Sequence, residues 1–288
     1  MKVSVLSLIF SERSLEEAMK LAKEIGFDGI ELMGREPHIS ADTTLERAKE
    51  IRSMLDSYGL EIPAIASYVG EFSTASDSEC VKSLESLEKY LDIMDVLKCD
   101  LIRVGCGGPN SFLSQNFHYE KALYWMEKCA VLAGQYNKKI AMEIHNGSLI
   151  ETVESANKFV KDLNKDNVGL IHDAGNMYIT DTDYGIKSVQ ILGNKIFHVH
   201  VKDEMRVNDD TLPGSFHART IYGDEIFQHK LLGQGAVDHV PLFKALIKSG
   251  YNGFLSCECH ASLEDVERAK YDLQEIKKQI EIAKEALK

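Results

Sequence analysis

The feature that most restricts the fold is a repeat: a short apolar run with β-branched residues, then an amphipathic stretch, eight times along 288 residues. Candidate strands fall at 3–9, 29–33, 61–66, 101–106, 140–145, 168–173, 196–201 and 253–257, with helical patterns such as 14–25, 44–58, 78–97, 120–136 and 148–163 between them. Ser14-x-x-Glu17 reads as a capping box that opens the first helix, and Gly26 as its stop. Strict alternation predicts a parallel sheet, because parallel neighbours need a crossover between them. A doubly wound open sheet alternates too. Eight units, with no glycine-rich phosphate loop after the first strand, favour the α/β class and a closed (β/α)8 TIM barrel. No linker or shift in composition divides the chain, so residues 1–288 are read as one domain.

Composition narrows the class further. Hydrophobic residues make up 44% and charged residues 27%, the balance of a globular protein with a sizeable core. No apolar run approaches the roughly 18 residues that would span a bilayer. Residues 1–10 lack a small-residue cleavage site and run straight into a helical pattern, so a first strand is preferred to a signal peptide. A net charge of −12 argues against a nucleic-acid partner, which needs a basic face. Six cysteines without a CxxC pair fit a reducing compartment, and the cytoplasm is the expected location. Cys257 and Cys259 flank Glu258 and are read as core thiols. A homo-oligomer is compatible with all of this.

Glu143, Asp173, His200 and Glu258 stand at the ends of the fifth to eighth candidate strands. Strand ends that each deliver one such group to a common rim are how a parallel barrel builds an active site. Alternation along His198-Val199-His200-Val201-Lys202 turns the two histidines and the lysine inward. Inward charges are costly unless paired or bound to metal. Any one of the four reads equally well as half of a buried ion pair; four together call for one divalent cation. An oxygen-rich set with one imidazole favours Mn²⁺, Mg²⁺ or Co²⁺ and admits Zn²⁺. Of the remaining inward groups, Arg103 reads as a structural ion pair, and Glu31 as its partner, a partner of Lys202, or a catalytic group. His145 is expected to touch substrate or support a ligand, and His198 to lie in a lower core layer. Lys202 is expected on a substrate oxygen or phosphate, or paired with Asp203 or Glu258. Asp173 to His200 spans 27 positions but His200 to Glu258 spans 58, and the excess falls in residues 203–232. That polar stretch, without clear periodicity, predicts a lid that brings Arg206, and His217 or His229, to substrate.

The segments Gly29-Ile30-Glu31-Leu32, Met142-Glu143-Ile144-His145, His172-Asp173-Ala174-Gly175-Asn176, His198 to Asp203 and Leu232-Gly233-Gln234-Gly235, in this order and spacing, resemble the xylose isomerase-like superfamily. The nearest likeness is to its sugar phosphate isomerase/epimerase group, with ketose 3-epimerases, hydroxypyruvate isomerases and inosose dehydratases. The resemblance implies that Glu143, Asp173, His200 and Glu258 hold the metal and that Glu143 and Glu258 double as the acid/base pair. It implies that Arg206, six residues past the ligand histidine, binds substrate. Asn176 stands where ketose 3-epimerases carry a substrate-contacting histidine, and Lys202-Asp203 replaces their Gly-Glu pair. The implied activity is a metal-dependent isomerase or epimerase of a sugar or sugar phosphate, moving a proton through an enediolate. An inosose-type dehydratase is the alternative. An AP endonuclease is disfavoured, because Phe227 occupies the place of an aspartate beside His229 and Ser67-Tyr68 offers no histidine. A non-catalytic sugar-binding protein is opposed by the retention of both glutamates.

Overall fold

A computed structural model describes all residues, 1–288. Eight parallel strands close on themselves: β1 (Lys2–Leu6), β2 (Gly29–Gly34), β3 (Ile65–Ser67), β4 (Leu101–Arg103), β5 (Lys139–Glu143), β6 (Val168–Asp173), β7 (Ile196–Val201) and β11 (Phe254–Cys257). Around them run α1 (Leu15–Ile25), α2 (Leu45–Tyr58), α3 (Asp77–Leu97), α4 (Asn116–Gln135), α5 (Val153–Leu163), the short α6 (Ala174–Ile179), α7 (Ile186–Leu192), α8 (Val240–Ser249) and α9 (Asp265–Glu285). The expected (β/α)8 barrel is therefore present, and no helix is long and apolar enough to cross a membrane.

Local signals account for the helix ends. The Ser14 side chain accepts from the Glu17 amide while the Glu17 carboxylate accepts from that of Ser14, and Gly26 closes α1 in the left-handed conformation. Leu15, Ala18, Met19 and Ala22 recur at helical spacing and are buried against the barrel. Leu15 alone contributes about 1.5–3 kcal/mol by leaving water. The main core is this layer between strands and helices, and it includes the buried Cys80, Cys99, Cys106, Cys129, Cys257 and Cys259.

Several expected bounds move by a few residues, and two changes matter most. The third strand is Ile65–Ser67 rather than 61–66, with only an isolated bridge from Glu61 to Gly29; Pro63 has no N–H to give a ladder. Residues 203–232 are not an irregular loop. They form an antiparallel sheet of β8 (Asp203–Val207), β9 (Ser215–Thr220) and β10 (Gly223–Lys230), ordered β8-β10-β9. Phe227 of β10 packs with Ala218 and Ile179, which seats this sheet on α6 just past the end of β6.

Candidate metal centre

Register brings the four ligand positions together. Asp173 on β6 pairs with His200 on β7, His200 pairs with Ser256 on β11, and Glu258 follows two residues later. One ligand atom from each of Glu143, Asp173, His200 and Glu258 lies within 4.8 Å of all the others, and all four residues are buried. His200 Nδ1 is 2.9 Å from Glu258 Oε2, 3.4 Å from Glu143 Oε1 and 3.8 Å from Asp173 Oδ2.

The donor set fits a divalent cation on two grounds. The first is that Asp173 Oδ2 and His200 Nδ1 are buried without a hydrogen bond, although charged neighbours lie near. Lys202 Nζ is 3.0 Å from Asp173 Oδ2 but not directed along a bond to it. The second is charge. Glu31, Glu143, Asp173 and Glu258 are four buried carboxylates, and the cations set against them are the partly buried Arg103, 2.6 Å from Glu143, and the buried Lys202, 3.4 Å from Glu258. More cationic charge reaches the cluster than the sequence reading allowed. With neutral histidines two negative charges still remain, which one divalent ion would balance.

The electrostatics follow. Burial pushes the Asp173 carboxyl up to about 7 against the pull of Lys202. Burial and Glu258 also raise Glu143, but Arg103 and His200 outweigh them and hold it well below the usual carboxylate range. Glu258 is likewise held low, with Lys202 and His200 overcoming burial. Burial opposes charge on His200, yet Glu31, Glu258 and Glu143 push it well above the usual histidine range. Lys202, despite its burial, is kept an ammonium by Asp173 and Glu258. Such divergent shifts at one rim mark a functional site.

Supporting contacts extend outward. Asn176 donates Nδ2 to Glu143 Oε1 at 3.0 Å, and its amide N–H donates to Asp173 Oδ1 at 2.9 Å, so α6 begins on the ligand itself. Glu31 pairs with neither Arg103 nor Lys202. It takes His198 Nε2 at 2.9 Å and His200 Nε2 at 3.2 Å, so the buried His198, one inward position below His200 on β7, is held by that carboxylate. A carboxylate behind a ligand imidazole sets its tautomer and orientation. His260, which the sequence reading passed over, lies 3.6 Å from Glu258 Oε1 and 5.0 Å, ring to ring, from His229.

A cavity of about 710 Å³ opens at this rim, lined by Arg35, Tyr68, Arg103, Glu143, His145 and Glu258 together with the glycine-rich loops after β3 to β5. His145 lines it, with its Nδ1 2.6 Å from the Asn146 carbonyl. Arg206 does not line it; Asp181 and Glu225, each at 2.9 Å, hold its guanidinium over the Phe227 ring in the β8–β10 sheet. His217 is exposed and 3.5 Å from Asp210, and His229 sits 3.3 Å from Glu204. Arg35 and Tyr68 were not picked out from the sequence; being polar residues just past strand ends was their only signal. A larger hollow of about 810 Å³ lies at the opposite end of the barrel, where Arg52, Lys98 and Lys139 mix with Asp56, Glu61 and Asp100, and none of the four ligands reaches it.

A family model described as xylose isomerase-like TIM barrel matches residues 19–285. The inosose dehydratase of Erwinia tasmaniensis is 24% identical over 86% of this chain and 83% of its own length. A solved L-ribulose 3-epimerase superposes with a TM-score of 0.79 at 21% identity, covering 99% of this chain and 96% of that one. A crystal structure of the IOLI protein with a zinc atom superposes with a TM-score of 0.79 at 17% identity, covering 97% and 98% of the two chains.

Proposed function

Because the chain belongs to the xylose isomerase-like TIM-barrel family, we propose that it is a divalent-metal-dependent isomerase or epimerase of a sugar or related polyol. One observation carries this reading. Of the four ligand positions, Glu143 and Glu258 alone also line the cavity, while Asp173 and His200 lie behind them. Two ionised carboxylates facing a bound substrate are placed to take a proton from a carbon next to a carbonyl and to return it. A cation held by Glu143, Asp173, His200 and Glu258 would polarise the carbonyl and an adjacent hydroxyl, acidifying the intervening C–H.

The chain's own residues divide the work. Arg103 and Asn176 hold Glu143 from two sides, so that its carboxylate keeps one orientation toward the cavity. Lys202, charged and buried between Asp173 and Glu258 behind the cavity wall, favours the ionised form of that glutamate. Asn176 and Lys202, expected on substrate, do not line the cavity and act here through the ligands, and His145 contributes from the cavity wall. Loss of a C–H proton from the substrate gives an enediolate; its reprotonation on the same or the neighbouring carbon completes epimerisation or isomerisation.

The likeness to an inosose dehydratase favours a second reading, a dehydratase, because loss of a protonated hydroxyl after the same first step releases water. Incubating the Mn²⁺-loaded protein in deuterium oxide with a panel of ketoses and inososes separates the two. Deuterium in recovered, re-isomerised sugar supports the isomerase or epimerase; an unsaturated or deoxy product supports the dehydratase. Neither deuterium uptake nor water loss with any member would defeat both.

A further inference from the structure

The cavity reaches well beyond Glu143 and Glu258, toward the loops that follow β2 to β5. Two arginines enter it. The guanidinium groups of Arg35 and Arg103 lie 4.6 and 5.1 Å from the centroid of one ring, that of Tyr68, whose residue is 48% exposed. Arg103 is committed, at 2.6 Å from Glu143 Oε2 and with Nε donating to the Ser67 carbonyl at 3.2 Å. Arg35 is not. Of the eight arginines in the chain it alone makes neither an ion pair nor a side-chain hydrogen bond, the other seven each having an acidic or carbonyl partner.

Arg35 is an exposed residue on the cavity wall, so water rather than an acid solvates it in a chain with a net charge of −12, and its guanidinium is free to meet a ligand. Glu71 lines the same cavity and does not pair with Arg35. The Arg103 charge is already met by Glu143, which leaves Arg35 as the uncommitted arginine of this cavity. The adjoining wall is bare backbone: Gly105, Gly107 and Gly108. Gly107 has φ +94°, and a Cβ there would come within 2.5 Å of Ser73 Oγ, so no side chain can cover this stretch without moving that serine. The amide N–H groups of Gly107 and Gly108 have no acceptor within the chain. A planar guanidinium and free backbone donors lining one cavity are the chemistry that recognises phosphate and carboxylate oxygens.

We propose that the substrate carries an anionic group, a phosphate ester or a carboxylate, at the end remote from the metal ligands, and that Arg35, stacked on Tyr68, binds it. This rests on the reading of the site as a sugar isomerase or epimerase and names its substrate class: sugar phosphates or sugar acids rather than neutral sugars.

Calorimetric titration of the full-length protein, with and without Mn²⁺, against D-ribulose, D-ribulose 5-phosphate and 5-keto-D-gluconate tests it. At least one anionic probe binds about tenfold or more tighter than ribulose, the scale of one charged hydrogen bond. Arg35→Ala abolishes that advantage and Arg35→Lys restores part of it, since the charge is kept and the fork is lost. Which anionic probe gains the more identifies phosphate or carboxylate as the group recognised. Anionic probes that bind no tighter than ribulose, or that keep their advantage in Arg35→Ala, overturn the proposal. Deuterium exchange into each probe is followed in the same samples. Binding through Arg35 without exchange sinks the proton-transfer reading and leaves the anion site standing; exchange as fast into ribulose as into either anion, unchanged by Arg35→Ala, does the reverse.

Discussion

The Glu31 carboxylate lies 3.2 Å from His200 Nε2, on the far side of that imidazole from the other three ligand positions. Buried and ionised, Glu31 can only accept, so the proton of a neutral His200 belongs on Nε2 and the Nδ1 lone pair faces Glu143, Asp173 and Glu258.

Glu31→Gln tests that relationship. The amide can present its NH₂ group to the histidine and loses the charge that favours the Nε2–H form. Affinity for Mn²⁺ or Zn²⁺, measured by competition with a chelating dye, is expected to fall about 10–100-fold, the range seen when such outer partners of metal ligands are removed. Unchanged affinity in a folded variant would leave Glu31 a purely structural partner of His198.

Metal binding should strengthen with rising pH. Asp173 is raised to about 7 and His200 well above its ordinary value, so in the metal-free protein protons compete with a cation at both near neutral pH. The same shifts give the sign for stability. A carboxyl raised in the fold, or a histidine raised by its acidic neighbours, contributes stability at lower pH that is lost as pH rises through the folded pKa. The gain in Tm on adding Mn²⁺ is therefore expected to be larger at pH 8 than at pH 6, with proton release visible as a buffer-dependent binding enthalpy.

Glu143→Gln and Glu258→Gln each keep a ligand oxygen and remove the basic carboxylate. Turnover of a competent substrate should drop by about 100-fold or more, and deuterium uptake at the reacting carbon should vanish, with a smaller loss of bound metal. Exchange at near wild-type rate in Glu258→Gln would move proton transfer to another group. Lys202 is poorly suited to that role because its neighbours keep it charged.

Lys202→Met removes a buried ammonium from beside Asp173 and Glu258. Breaking a buried pair on one side costs about 3–5 kcal/mol, and that cost should appear in the metal-free protein. Saturating Mn²⁺ should recover much of it, because the ion supplies the missing positive charge. Equal losses of Tm with and without metal would show that Lys202 acts mainly through packing.

Much of this was legible in the chain because it depends on short-range pattern. The capping box at Ser14 and the alternation in His198 to Lys202 are local signals, and they placed α1 and the inward groups of β7 where the structure has them. The sheet of residues 203–230 was missed for an equally local reason. Its strands are half-exposed, with Phe227 and Ala218 their only buried apolar residues, so no strong alternation marks them. The expected helix over 148–163 begins instead at Val153, where Thr152 caps it. Ser148 donates to the His145 carbonyl and leaves the residues after β5 free to wall the cavity.

By itself the sequence determined the eight-unit alternation, the parallel barrel and the four strand-end residues now found within reach of one cation, because side-chain direction along a strand and helix capping are settled within a few residues. Tertiary structure alone decided the partners. Glu31 and His200 are 169 positions apart, Arg103 and Glu143 are 40 apart, and nothing in their local surroundings says that one carboxylate will take a histidine and the other an arginine. Closure of the barrel sets those pairings, since it brings β2 across from β7, and the same closure leaves Arg35 on Tyr68 without an acid to meet it.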